Sequence, residues 1–301
     1  MDYRDRFFSK CKQQDKLFIS FSGGETSAYM TKFLLENVAD MYEKVIVLFA
    51  NTGQENEETL EFVDRCDKEF GFNVVWVEAV VDHKPRKGTK HRIVDFNSAD
   101  RSGYVFEEMI KKYGIPNQSW PHCTRELKLQ PMTSYLRSIG WKKGTYDIAI
   151  GIRSDEMDRM TPTYKQNNIM YPLISVNPMT KPDINTFWKD QKFRLQLKGY
   201  QGNCKWCWKK SFRKHFTIMG ENPEFYEFPM RMEEQHAKAG YNEGGENERV
   251  FFRKNTSTQQ LIELRDITDW KPADDDSVVY NDYLDATAGC SDSCEVDFSE
   301  M

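Results

Sequence analysis

Ser22, Gly23, Gly24, Glu25, Thr26 and Ser27 follow a short apolar run, Phe18-Ile19-Ser20-Phe21, and precede an amphipathic stretch. Adjacent glycines permit a turn too tight for a Cβ, and the residues after them open a helix whose first N–H groups have no internal partner. A strand, loop and helix start of this kind can hold a phosphate, with the hydroxyls of Ser22, Thr26 and Ser27 as further donors. The alternative is an ordinary strand-to-helix turn capped by Ser or Thr. Glu25 is unfavourable inside an anion loop unless its carboxylate meets solvent, a metal or a cation.

Thiols form the second group. Cys204-Lys205-Trp206-Cys207 is a chelating pair, Cys290 and Cys294 make a looser one, and Cys123 stands alone with 80 residues between it and Cys204. Cys204, Cys207, Cys290 and Cys294 have acceptable spacing for a Zn2+ site, which would leave Cys123 as a buried or reactive thiol. Cys11 and Cys66 lie on helical patterns without partners and read as packing residues. Arg153 and Arg159 can each clamp an anionic group with two parallel hydrogen bonds, and Lys128 is a third candidate. For all three the alternative is a surface salt bridge.

The wording Ser-Gly-Gly-x-Thr-Ser resembles the PP-loop of the ATP pyrophosphatase superfamily, in its phosphoadenosine phosphosulfate (PAPS) reductase-like branch. Three further segments match in the expected order: Asn51-Thr52-Gly53-Gln54-Glu55, then His122-Cys123-Thr124-Arg125-Glu126-Leu127-Lys128 with Pro131, then Gly151-Ile152-Arg153-Ser154-Asp155-Glu156 followed by Arg159. With Cys204 and Cys207 the set spans roughly residues 16 to 215. The resemblance implies that Ser22, Gly23, Gly24, Thr26 and Ser27 bind the phosphates of ATP or of a sulfonucleotide (PAPS or adenosine phosphosulfate). Asn51, Thr52, Gly53 and Glu55 would contact the nucleoside or Mg2+, and Arg153, Arg159 and Lys128 a second anionic group. It also implies a [4Fe-4S] cluster. Relatives place a cysteine pair where His122-Cys123 stands here, so one ligand is missing, and three thiolates, or a fourth from Cys290 or Cys294, would hold the cluster.

These residues need a scaffold. Apolar β-rich runs alternate with helical patterns, which predicts an α/β fold with a mostly parallel, doubly wound, Rossmann-like PP-loop sheet, followed by an irregular cysteine-containing C-terminal region. Strands are expected over 16–21, 44–50, 73–81 and 147–152, and helices over 26–38, 57–70 and 104–113, with a further helix bearing Cys123 near its start. The segment 82–103 reads as a charged surface loop, either solvated or an anion-contacting lid. In open α/β sheets ligands bind at the carboxyl ends of the strands, where residues 22–27, 51–55 and 151–159 would converge. The expected organisation is a nucleotide-binding domain over 1–160, a basic, aromatic Cys-x-x-Cys region over 161–230, and a helical, acidic extension over 231–301.

Composition fits without deciding. The 301 residues are 39% hydrophobic and 30% charged, enough for one substantial core with an appendage. No apolar run reaches membrane-spanning length and the polar start is unlike a signal peptide, so a cytoplasmic protein with reduced thiols is expected. The chain carries −5 and residues 266–301 carry −10, which leaves the first 265 at +5. Between Lys181 and His215 ten Lys or Arg interleave with aromatics. That surface either carries nucleic acid by phosphate contacts and stacking, or covers a cluster with its aromatics as core.

Three functions survive. ATP-dependent sulfur transfer through nucleotide α-hydrolysis would use a sulfur donor and Cys123, Lys128 and Arg153 as catalytic groups. A sulfonucleotide reductase would release sulfite with a thiol reductant, although the family's C-terminal Glu-Cys-Gly-x-His segment is missing here. A nucleotide-binding regulatory module would turn nothing over.

Overall fold

A computed structural model of the chain describes residues 2–240, 248–275, 277 and 298. Helix α1 (Tyr3–Lys10) leads into β1 (Lys16–Ser20), α2 (Glu25–Asn37), β2 (Lys44–Asn51), α3 (Glu57–Phe70) and β3 (Val74–Val80). Then come β4 (Lys90–Val94), α4 (Tyr104–Tyr113), a π-helical turn (Cys123–Leu129) that runs into α5 (Gln130–Ser138), β5 (Asp147–Ala149) and β6 (Ile169–Met170). The remaining helices are α6 (Pro172–Ser175), α7 (Lys181–Lys189), α8 (Phe212–Glu221), α9 (Glu227–His236) and α10 (Thr258–Ile267).

The six strands form one sheet in the order β4-β3-β2-β1-β5-β6, parallel except where β4 pairs antiparallel with β3. This is the expected mostly parallel α/β architecture. Alternation along the strands feeds two cores: Leu17, Ile19, Val47 and Phe49 face α2 and α3, while Phe18, Ile46, Leu48 and Ile148 pack with Met132 and Leu136 of α5. Phe298 joins the second core, with its ring 5.2 Å from that of Phe18.

Two stretches depart from expectation. Part of segment 82–103 is β4, not loop; its sequence Lys-His-Arg-Ile-Val has no buried face to betray it, and Ile93 is 63% exposed. The β3 ladder, with Val80 opposite Lys90, makes it an edge strand, and its cations suit that position. The fourth expected strand, over 147–152, is shorter: β5 ends at Ala149, and the sheet continues through the two-residue β6.

A third core lies off the sheet. Phe106, Met109 and Ile110 of α4 pack with Phe216 of α8, Met232 of α9, Leu261 of α10 and Trp206. Trp188, Tyr200, Trp206 and Trp208 are all buried, so these aromatics of the basic region are packing groups.

Asp147 ties the sheet to the chain entering it. Its Oδ2 accepts from the backbone N–H of Gln13 and Gln14, at 2.9 and 3.1 Å, and from the Tyr42 hydroxyl at 2.9 Å. Burial pushes the Asp147 carboxyl above the usual carboxylate range and the Tyr42 phenol above its own. Tyr42→Phe should lower unfolding free energy by about 1 kcal/mol and Asp147→Ala by about 2–3 kcal/mol, read by urea denaturation. A second outcome concerns acid. His215 is fully buried, with Nδ1 2.7 Å from the Tyr226 hydroxyl, and desolvation holds it well below its ordinary 6.5. His122 is held at about 4, again chiefly by desolvation. Both are depressed in the fold, so the unfolded chain takes up more protons and stability falls as pH drops below about 6.5. The melting temperature should decline from pH 7 to 5, and His215→Phe should flatten that decline.

Candidate functional site

Strand β1 ends at Ser20, and the chain reaches α2 through Ser22, Gly23 and Gly24. Gly23 adopts φ +84°, and a Cβ there would stand 2.8 Å from Thr59 Cγ2 of α3, so glycine is required on both counts. Gly24 caps α2 and supplies no side-chain hydrogen bond to it, and the first amides of a helix have no partner within the helix. The Ser22 and Ser27 hydroxyls lie 2.8 Å apart, and Ser27 Oγ also donates to the Gly24 carbonyl at 3.0 Å. Ser27 therefore braces the loop from inside, while Thr26 Oγ1 accepts from Arg153 Nη1 at 3.2 Å. Gly151 abuts this brace: a Cβ there would be 2.9 Å from Ser27 Cα.

A cavity of about 50 Å³ opens against the loop, lined by Gly24, Glu25, Thr26, Arg153, Lys181, Arg194, Lys198 and Asn203 among others. Glu25 meets a cation there. Arg194 donates to both its carboxylate oxygens, at 3.0 and 3.1 Å. Arg153 is 4% exposed and pairs with Asp155 at 3.0 Å, and Arg159 turns to Glu156. Lys181, Arg194 and Asn203 were not among the residues singled out in the sequence. Lys181 and Arg194 belong to the basic run after 181, and Asn203 directly precedes Cys204, which are the signals that pointed toward them.

Asn51, Thr52, Gly53 and Glu55 form a buried turn at the end of β2. Asn51 donates to Glu78 at 2.6 Å and to the Asp100 carbonyl at 2.9 Å. Glu55 accepts from the Thr52 N–H at 2.9 Å and from its hydroxyl. The Cys-x-x-Cys segment pairs with this turn. Glu55 and Cys204 form an antiparallel bridge, the Lys205 N–H donates to the Gln54 carbonyl at 3.0 Å, and the Asn56 N–H to the Asn203 carbonyl at 2.8 Å. Trp206 Nε1 donates to Gln54 Oε1, Asn56 Nδ2 to the Gly202 carbonyl, and Asn203 Nδ2 to the Ser22 carbonyl at 2.8 Å. Cys204 Sγ lies 3.8 Å from Glu55 Oε1.

A second cavity, about 30 Å³, is lined by Cys123, Cys204 and Cys207 with Thr52, Lys128, Lys209, Trp206 and Trp208. The three thiols are thus gathered, and Lys128 sits with them rather than in the phosphate-loop cavity. Among the described residues, no cluster of three or more His, Cys, Asp or Glu side chains is arranged to hold a metal ion. Lining one wall is a looser condition than converging on one ion, so the thiols are neighbours around a space rather than ready ligands of a mononuclear zinc. Cys290 and Cys294 lie outside the described residues. Cys11 and Cys66 are buried apart from both cavities, and burial pushes both thiols up.

If the seam holds the thiol segment in place, Asn56→Ala should cost about 1–2 kcal/mol in denaturation. It should also speed the reaction of Cys204 and Cys207 with a thiol reagent, while leaving the buried Cys66 slow.

No helix among the described residues is long and apolar enough to cross a membrane. Residues 16–100 match the phosphoadenosine phosphosulfate reductase domain family. The chain is 30% identical over 288 residues to the nin region protein ORF290 of Escherichia phage lambda, covering 92% of this chain and 94% of that protein. It is also similar to two proteins of Methanocaldococcus jannaschii. MJ0973 is 27% identical over 54% of this chain, which spans 32% of that protein; MJ0066 is 24% identical over 42%, spanning 20% of its length. The loop, the sheet that presents it and these similarities together show that the chain belongs to the family of the lambda nin region protein, within the PAPS reductase-like branch of the PP-loop ATP pyrophosphatase superfamily.

Proposed function

We propose that this protein binds ATP with its phosphates on the Ser22–Gly24 turn and the amino end of α2, and couples cleavage at the α-phosphorus to sulfur transfer. The observation that carries the reading is that two adjacent residues of one segment line the two cavities. Asn203 lines the anion cavity, Cys204 lines the thiol cavity, and both are hydrogen-bonded or paired to the turn at the end of β2. In this reading the segment 203–204 links the nucleotide's cavity to that of the thiols.

In this reading a substrate oxygen attacks the α-phosphorus, pyrophosphate leaves, and a sulfur nucleophile then displaces AMP from the adenylate. The fixed amides of α2 and the Arg153 guanidinium meet the charge that builds on the phosphoryl oxygens. Mg2+ would travel with the nucleotide, and Glu55, engaged by Thr52 and near Cys204, acts on the thiol side of the seam. Lys128, 8% exposed in the thiol cavity, balances negative charge on sulfur there. In this reading the three thiols that line one cavity would be the ligands of an iron–sulfur cluster, and such a cluster would supply sulfide or electrons.

Anaerobically purified protein should release pyrophosphate from ATP in the presence of sulfide and an acceptor. Arg153→Gln should lower kcat/KM by about a hundredfold, the loss of one charge-assisted transition-state contact. Iron and sulfide analysis with visible absorption reads the cluster separately, and stoichiometric zinc without iron would remove it. Sulfite from adenosine phosphosulfate, without pyrophosphate from ATP, would assign a reductase instead. Tight nucleotide binding with neither product would assign a regulatory module.

A further inference from the structure

Three cations around the anion cavity already have carboxylate partners. Arg153 pairs with Asp155, Lys198 with Glu221 at 2.8 Å, and Arg194 with Glu25. The last pair differs from the others because its acid is the first residue of the phosphate-binding helix itself. Glu25 cannot move away easily: its carbonyl accepts from Trp188 Nε1 at 3.0 Å, and Trp188 is 1% exposed. Its carboxylate also accepts from the Leu195 N–H at 3.3 Å. The guanidinium fork of Arg194 has the geometry that takes two phosphate oxygens, and here it takes two carboxylate oxygens on the wall of the same cavity.

From this geometry we infer that Arg194 is a phosphate-contacting residue held in reserve by Glu25, and that the pair makes the site selective for polyphosphate over monoanionic or monophosphate tails. The inference rests on the nucleotide-binding reading above. A ligand wins the fork only by offering more negative charge than the resident carboxylate, while Glu25 repels any anion that fails to engage Arg194. A triphosphate carries enough charge to repartition the guanidinium, whereas a single phosphate or a sulfate gains little. Thus the acid in the loop sets a threshold of ligand charge rather than abolishing anion binding.

The test is a double-mutant cycle read by calorimetry with magnesium-free imido-ATP and with AMP, on the wild type, Glu25→Gln, Arg194→Gln and the double variant. Melting temperatures are taken alongside, and Arg194→Lys keeps the charge without the fork. Glu25→Gln should tighten AMP about tenfold and imido-ATP less, because the freed guanidinium becomes available to a single phosphate that could not win it from the carboxylate. That gain should shrink at least about threefold in the Arg194→Gln background, with Arg194→Lys intermediate. An equal or larger gain in the Arg194→Gln background would show that Glu25 acts only through its field, and an equal or larger gain for imido-ATP than for AMP would remove the selectivity; either overturns the inference while leaving nucleotide binding intact. If the folded wild type binds neither probe, the nucleotide reading fails and the inference falls with it.

Discussion

The antiparallel contact between residues 54–56 and 203–205 is the constraint on which the rest of the site depends. It joins two segments about 150 positions apart, one at the carboxyl end of a central strand and the other in the irregular stretch before α8. Without it the thiol segment would be a surface loop with an exposed backbone, since it belongs to no helix or sheet ladder. With it, Asn203 reaches the Ser22 carbonyl and Trp206 enters the third core. A single short seam therefore shapes both cavities.

The anion side is preorganised by closeness rather than by strong charge. Gly23 and Gly151 let the loop lie directly against α3 and β5's continuation, and Ser27 ties the turn from within. Cations are present, but Arg153, Arg194 and Lys198 each face a carboxylate, so the field at the loop is moderated. Net local charge, rather than the count of Lys and Arg between 181 and 215, governs what such a cavity attracts.

Much of the fold was legible because hydrophobic period and turn chemistry act locally. The helix over 57–70 shows its buried stripe, its acidic first turn and its terminal Gly71, and its bounds are those expected. Strand β4 was not legible, because an edge strand with both faces partly solvated carries no alternation and is selected by pairing with β3. The loop residues 22–27 were readable from their wording, yet the division of labour among them was not: Ser27 braces, Thr26 meets Arg153, and Glu25 is answered by Arg194.

By itself the sequence determined the family and the α/β class, since both are carried by motifs and hydrophobic periods that can be read one short segment at a time. Only the tertiary structure decided which distant groups meet. It brought Cys123 to Cys204 and Cys207, moved Lys128 to the thiol side, and set Arg194 against Glu25. The physical reason is that contacts across long loops depend on the packing of whole elements, and no local pattern encodes which side chain arrives at a given wall.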